Sequence, residues 1–140
     1  MCAHKFADLS EYGYGVSLLN DCKYGYDIHD SVIRLTLIKC GNYPNPDADK
    51  CRHEFTYSLF PHSGDFREAG TVKLTKFTNS PLEAKKIESQ NGTLPEEYSL
   101  LSIDSENVIC ETVKNAEDGD GVIVRLYAVS YTHLRAHETG

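Results

Sequence analysis

The chain has 140 residues, 40% of them hydrophobic, and a formal net charge of −7 at pH 7, a length that suits one ordinary domain or pieces of two. Residues 1–77 carry nine Lys/Arg against ten Asp/Glu, residues 78–120 three against ten, and residues 121–140 two against one. A near-neutral first half and an acidic second half exclude a phosphate-tracking nucleic-acid surface, which needs clustered Lys and Arg, and no run approaches the ~18 consecutive apolar residues of a membrane span.

Met1-Cys2-Ala3-His4-Lys5 does not form a secretory signal. The stretch Asp8–Tyr26 then sets three glycines and four tyrosines around the apolar run Val16–Leu19, which reads as a buried strand between tight turns. In Ser31–Lys39, Ile33, Leu35 and Leu37 alternate with Arg34, Thr36 and Ile38, the clearest strand of the chain. It should pair with the strand at Val16–Asn20 or with one begun near Lys23. Cys40–Asp49, with Pro44 and Pro46 among Gly, Asn and Asp, is an ordered surface loop.

Arg52–His62 is the next strand, with Phe55, Tyr57 and Leu59 facing one way and Glu54, Thr56, Ser58 and Phe60 the other; Pro61 marks its end. From Asp65 the period becomes helical through Phe66, Ala69 and Val72. Ser63 or Asp65 is available as N-cap and Asn79-Ser80-Pro81 as the stop. After a polar connector come three short β-like runs, Tyr98–Ile103, Val108–Val113 and Val122–Val129. Asp118-Gly119-Asp120-Gly121 predicts a hairpin between the last two. Residues 130–140 share no pattern with the rest and resemble translated cloning-adapter sequence, so they read as a foreign tail.

Five cysteines, at 2, 22, 40, 51 and 110, are odd in number and lack Cys-x-x-Cys spacing. They read as free thiols of a reducing compartment, hence a cytoplasmic location. Asp8, Glu11, Asp21 and Asp27 suggest a glycosidase carboxylate pair, yet carboxylates beside glycine turns are more often caps and turn acceptors. His4, His29, His53 and His62 with Asp47 and Asp49 lack the two-plus-two spacing of a zinc site. No Gly-x-Ser-x-Gly elbow supports a nucleophilic serine, and Gly13-x-Gly15 precedes a strand, so it is no phosphate loop. Six of the nine tyrosines fall in residues 1–57, where they suit either sugar stacking or sandwich packing.

Several colinear blocks resemble the C-terminal region of glycoside hydrolase family 38 α-mannosidases of the cytosolic and bacterial type. They are Ala3–Tyr26, Ile33–Leu37, Pro44-x-Pro46-Asp47-x-Asp49, His53–Tyr57 with Leu59, Pro61 and His62, Asn79–Leu82, Ser102–Asp104 and Glu117–Tyr127. The resemblance implies a mainly β chain: an antiparallel, galactose-mutarotase-like supersandwich portion with one short helix over 1–78, a linker at 79–94, and part of a second β-sandwich over 95–129. It departs from the family at Lys39-Cys40, where relatives often have Arg-Ser, and at Cys51, where many have Gly.

The resemblance further implies retaining hydrolysis of terminal α-mannosides by an aspartate nucleophile, an acid/base carboxylate and one zinc ion. In the family those groups lie in an N-terminal catalytic domain and a helical region. No position here matches their motifs, so the chain is expected to carry no catalytic or metal-binding residue and no cofactor of its own, and to be truncated at both ends. Its partners would be that missing catalytic domain of the same chain and, in the intact enzyme, the mannoside, with no membrane or nucleic acid. Asp21, Tyr24, Asp47, Asp49 and His53, polar groups on turns at strand ends, are the candidates for facing the sugar cleft. The alternative is a free-standing carbohydrate-binding or protein-interaction β-sandwich.

Overall fold

Gly13 sits at φ +83° in the two-residue turn Tyr12-Gly13, a backbone position that glycine occupies without steric cost, and this turn joins strand β1 (Phe6–Glu11) to β2 (Tyr14–Asn20). The computed structural model describes residues 1–89, 91–93 and 95–130. After β2 come β3 (Tyr26–His29), β4 (Val32–Leu35), β5 (Tyr57–Ser63), helix α1 (Thr71–Asn79), β6 (Val108–Asn115) and β7 (Val122–Ala128). The strands form an antiparallel sheet in the order β1-β2-β5 and two hairpins, β3-β4 and β6-β7. The mainly β, antiparallel, sandwich-like reading with one short helix therefore stands. Contacts group the chain into one unit over Met1–Glu83 and a second beginning at Ala84.

The register of the three-stranded sheet sorts its side chains onto two faces. One carries Ala7, Leu9, Val16 and Leu18, and Ala7 and Leu18 close with Tyr26 into a small core, against which Ile28, Ile33 and Leu35 of the β3-β4 hairpin pack. Of the two pairings expected for β4, the structure takes the one with the strand that follows Lys23. The other face carries Asp8, Ser10, Gly15, Ser17, Leu19, Phe60 and His62. It turns toward α1 and the turn before it, where Thr71 meets Ser17 and Phe66 meets Phe6 with ring centroids 5.8 Å apart.

Four expectations change in the first unit. β1 is a strand that the sequence reading did not mark, and β4 ends at Leu35 instead of running to Lys39. β5 starts at Tyr57 and continues through Pro61 to Ser63; as an edge strand it accommodates a residue without an amide donor. Its buried face is that of Phe60 and His62, while Tyr57 and Leu59 point outward. The helix starts at Thr71, because Gly70 at φ +68° breaks the helical path. Asp65 caps the preceding turn instead, accepting the amides of Arg67 and Glu68 at 2.7 and 3.0 Å. The stop at Asn79-Ser80-Pro81 is where the helix ends.

In the second unit β6 and β7 form the expected hairpin, with Ala116 N donating to Gly121 O at 2.9 Å across the Asp118–Gly121 turn. A bulge falls between Cys110 and Thr112. Tyr98–Ile103 is not a strand: Tyr98 and Leu100 are exposed, and the run pairs with neither strand of the β6-β7 hairpin. The tail expected at residues 130–140 lies, from residue 131, outside the described residues.

Candidate functional site

Two polar side chains on strand β1 and one each on β2, β5 and α1 converge beneath the helix. Asp8 Oδ2 accepts the Ser17 hydroxyl at 2.6 Å and lies 2.8 Å from His62 Nε2, while Ser10 donates to Asp8 Oδ1. Ser17 Oγ is also 3.0 Å from Thr71 Oγ1 and 3.3 Å from His62 Nε2. Ser17 and Thr71 are wholly buried, and the Asp8 and His62 side chains are 9% and 3% exposed. Gly15 makes room for this cluster: a Cβ there would lie 2.5 Å from His62 Cε1. Burial pushes the Asp8 carboxyl up, but hydrogen bonds from Ser10, Ser17 and His62, together with the attraction of His62, outweigh it and hold Asp8 below its ordinary 3.8.

Aspartate, histidine and serine in contact invite comparison with a nucleophilic triad, and the wiring rules one out. In a triad the carboxylate holds Nδ1 and the hydroxyl faces Nε2, so the ring relays the proton. Here Asp8 takes Nε2, Ser17 gives its proton to the same carboxylate oxygen, and His62 Nδ1 is buried without a partner. The cluster binds β1, β2, β5 and α1 together; it does not present a nucleophile. Sequence reading placed Asp8 among turn carboxylates and His62 among isolated histidines. The one signal for the site was the alternation of Asp8 and Ser10 on one face of β1, matched by Ser17 across the hairpin.

The candidate cleft residues fall into two settings. Asp21 closes the turn after β2, accepting Thr56 N at 2.9 Å while its own amide donates to Thr56 O. The Cys22 thiol, the largest influence, and the Thr56 amide hold the Asp21 carboxyl below its ordinary value against a smaller effect of burial. The neighbouring Asn20, wholly buried, accepts Lys23 N at 2.6 Å and donates to the Tyr26 hydroxyl, which reaches Leu18 O at 3.2 Å. Tyr26 thus serves packing, whereas Tyr24 is partly exposed and stacks on His4, with ring centroids 4.7 Å apart.

Asp47, Asp49 and His53 lie on the loop between β4 and β5. Asp47 pairs with Lys50 at 3.4 Å, and Asp49, in the left-handed region at φ +59°, accepts Cys40 N on its carboxylate and lies 2.8 Å from His53 Nε2 through its carbonyl oxygen. The structure therefore joins Asp49 to His53 and holds Asp21 and Tyr24 by other partners. The zinc implied by the family resemblance does not fit these residues: among the described residues no three His, Cys, Asp or Glu side chains are grouped to hold a metal ion.

A pocket of about 480 Å³ opens between the β1-β2 hairpin and the β3-β4 turn. Leu9, Val16 and Ile33 form its floor, and Tyr14, Glu11 and Asp30 stand at its rim.

Residues 1–47 match the family model of the glycosyl hydrolases family 38 C-terminal domain. The chain is 39% identical to human alpha-mannosidase 2C1 over 94% of its own length, 38% to alpha-mannosidase G of Dictyostelium discoideum over 89%, and 40% to an alpha-mannosidase of Saccharomyces cerevisiae over 87%. It spans 13%, 12% and 11% of the length of those proteins. No described helix is long and apolar enough to cross a membrane. Colinear likeness across both units, with the domain match at the start, means that the chain belongs to the C-terminal region of the family 38 α-mannosidases.

Proposed function

We propose that the chain is a non-catalytic β portion of an α-mannosidase, packed in the whole protein against a catalytic domain of the same polypeptide that cleaves terminal α-mannosides. The observation that carries this reading is apolar surface left open on strands. Leu59 is 66% exposed on the same face of β5 as Tyr57 and Pro61, and Val122, Val124 and Leu126 stand exposed along one face of β7. Such stripes are normally covered by protein. The sealed, miswired Asp8–Ser17–His62 cluster supports the absence of chemistry. On this reading zinc and the mannoside are held by the catalytic domain, and four exposed thiols suit the cytoplasm.

The purified chain, incubated with an aryl α-mannoside and added zinc, is expected to release no aglycone above a buffer blank. Turnover would overturn the proposal.

One observation favours the second reading, a free-standing carbohydrate-binding module: the pocket carries an exposed tyrosine beside two carboxylates over an apolar floor, the materials of sugar recognition. Under that reading mannose at 100 times its dissociation constant raises the melting temperature, by a free energy of about 2.7 kcal/mol, and Tyr14→Ala abolishes the rise. An unchanged melt across millimolar mannose rejects it.

A further inference from the structure

We propose that Cys40 and Cys51 form a reversible disulfide that staples the neck of the loop between β4 and β5. The loop closes on itself at these residues. Cys40, at φ +49°, donates its amide to Asp49 Oδ2 at 3.1 Å, and its Sγ lies 3.9 Å from Asp49 O. That same carbonyl oxygen lies 2.8 Å from His53 Nε2, which is 3.8 Å from Cys51 Sγ. The two sulfurs thus belong to one chain of contacts, joined through the Asp49 carbonyl oxygen and the His53 ring nitrogen.

Both cysteines are exposed, so a small-molecule disulfide reaches either without unfolding the chain. The segment between them carries Pro44 and Pro46 and an Asn45–Asp47 turn, in which Asp47 N donates to Asn45 Oδ1 at 3.0 Å. The Cys40 contacts with Asp49 bring one end of the segment back to within two residues of Cys51, and a resolving thiol must lie close to its partner in this way. The remaining cysteines are placed differently. Cys22 adjoins the Asp21 carboxylate, which pushes its thiol up and disfavours the thiolate. Cys110 belongs to the second unit, on β6, and Cys2 bridges to Gly25 beside the first sheet.

The chemistry is an ordinary exchange with glutathione disulfide as oxidant. The Cys51 thiolate attacks one glutathione sulfur, breaking the glutathione S–S bond and releasing the first glutathione thiolate. The Cys40 thiolate then attacks Cys51 Sγ and releases the second. Two protein thiols are oxidised, one small disulfide is reduced to two thiols, and the two protons pass to the departing thiolates.

The test uses the folded 140-residue chain, incubated with glutathione disulfide, alkylated, digested and mapped by mass spectrometry. The expected product is a Cys40–Cys51 linked peptide, removed by dithiothreitol and about tenfold more abundant than any other pairing. Cys40→Ser, with its circular dichroism spectrum unchanged, should instead stop at glutathione on Cys51. Three results would each overturn the proposal: glutathione on both cysteines without a cross-link, preferential pairing of either with Cys2, Cys22 or Cys110, or a cross-link that forms as fast in concentrated urea as in buffer.

Discussion

Asp8→Ala lowers the stability of the chain by about 3–5 kcal/mol, read as a shift of the urea midpoint at pH 7. The size follows from what the substitution leaves behind. His62 Nδ1 already lacks a partner, so removing Asp8 strips the remaining strong bond from a ring that is 3% exposed. Ser17, wholly buried, loses its acceptor at the same time. Buried polar groups left unpaired cost more than the bond was worth, so Asp8→Ala combined with His62→Leu should recover part of the loss. A double variant no more stable than Asp8→Ala would contradict this.

The same carboxylate gives the fold an acid limit. Asp8 titrates lower in the folded chain than its ordinary 3.8, so its contribution is complete above the unfolded value and fades as pH falls through the folded one. The urea midpoint of the wild-type chain should therefore decline below about pH 4. Asp8→Asn should start lower and lose the share of that slope due to this residue. Identical pH profiles for the two would show that Asp8 does not carry the effect.

Leu19→Ala is expected to cost about 2–5 kcal/mol, because its side chain, 1% exposed, leaves a cavity that the sheet and the helix cannot both close. The contrast is Leu59→Ala on β5, expected to change stability by less than about 0.5 kcal/mol in the isolated chain. Thermal melts of the two variants decide the matter. A large loss from Leu59→Ala would mean that its surface is already covered in this chain, and the case for a missing packing partner would fall with it.

Strands with a clean period of two were legible from the sequence: the apolar alternation at Ile33 and Leu35 and the Asp-Gly-Asp-Gly turn led directly to β4 and the β6-β7 hairpin. β1 was not, because its inward positions on one face are Asp8 and Ser10, and a strand that buries polar groups looks like a loop until its partners are known. Those partners, His62 and Thr71, come from elements more than fifty residues away. The start of α1 was misplaced by the same locality. The helical period from Phe66 is real, but one glycine in the left-handed region interrupts it. For β5 the alternation was visible and the choice of face was not, since Leu59 is as apolar as Phe60. The candidate cleft residues were legible only as polar groups on turns, where Asp21 and Asp49 accept the backbone amides of Thr56 and Cys40.

Pro61 has a consequence for solubility. Phe55-Thr56-Tyr57-Ser58-Leu59-Phe60 is an uncharged, aromatic, β-forming run that leads into and along an edge strand, the composition that recruits further strands into aggregates. A proline in a ladder turns its nitrogen away from the paired strand. The free edge of β5 therefore lacks a donor just past this run, and a second copy of the chain cannot extend an unbroken ladder along it. Pro61 acts as a gatekeeper for its own neighbours on the exposed strand.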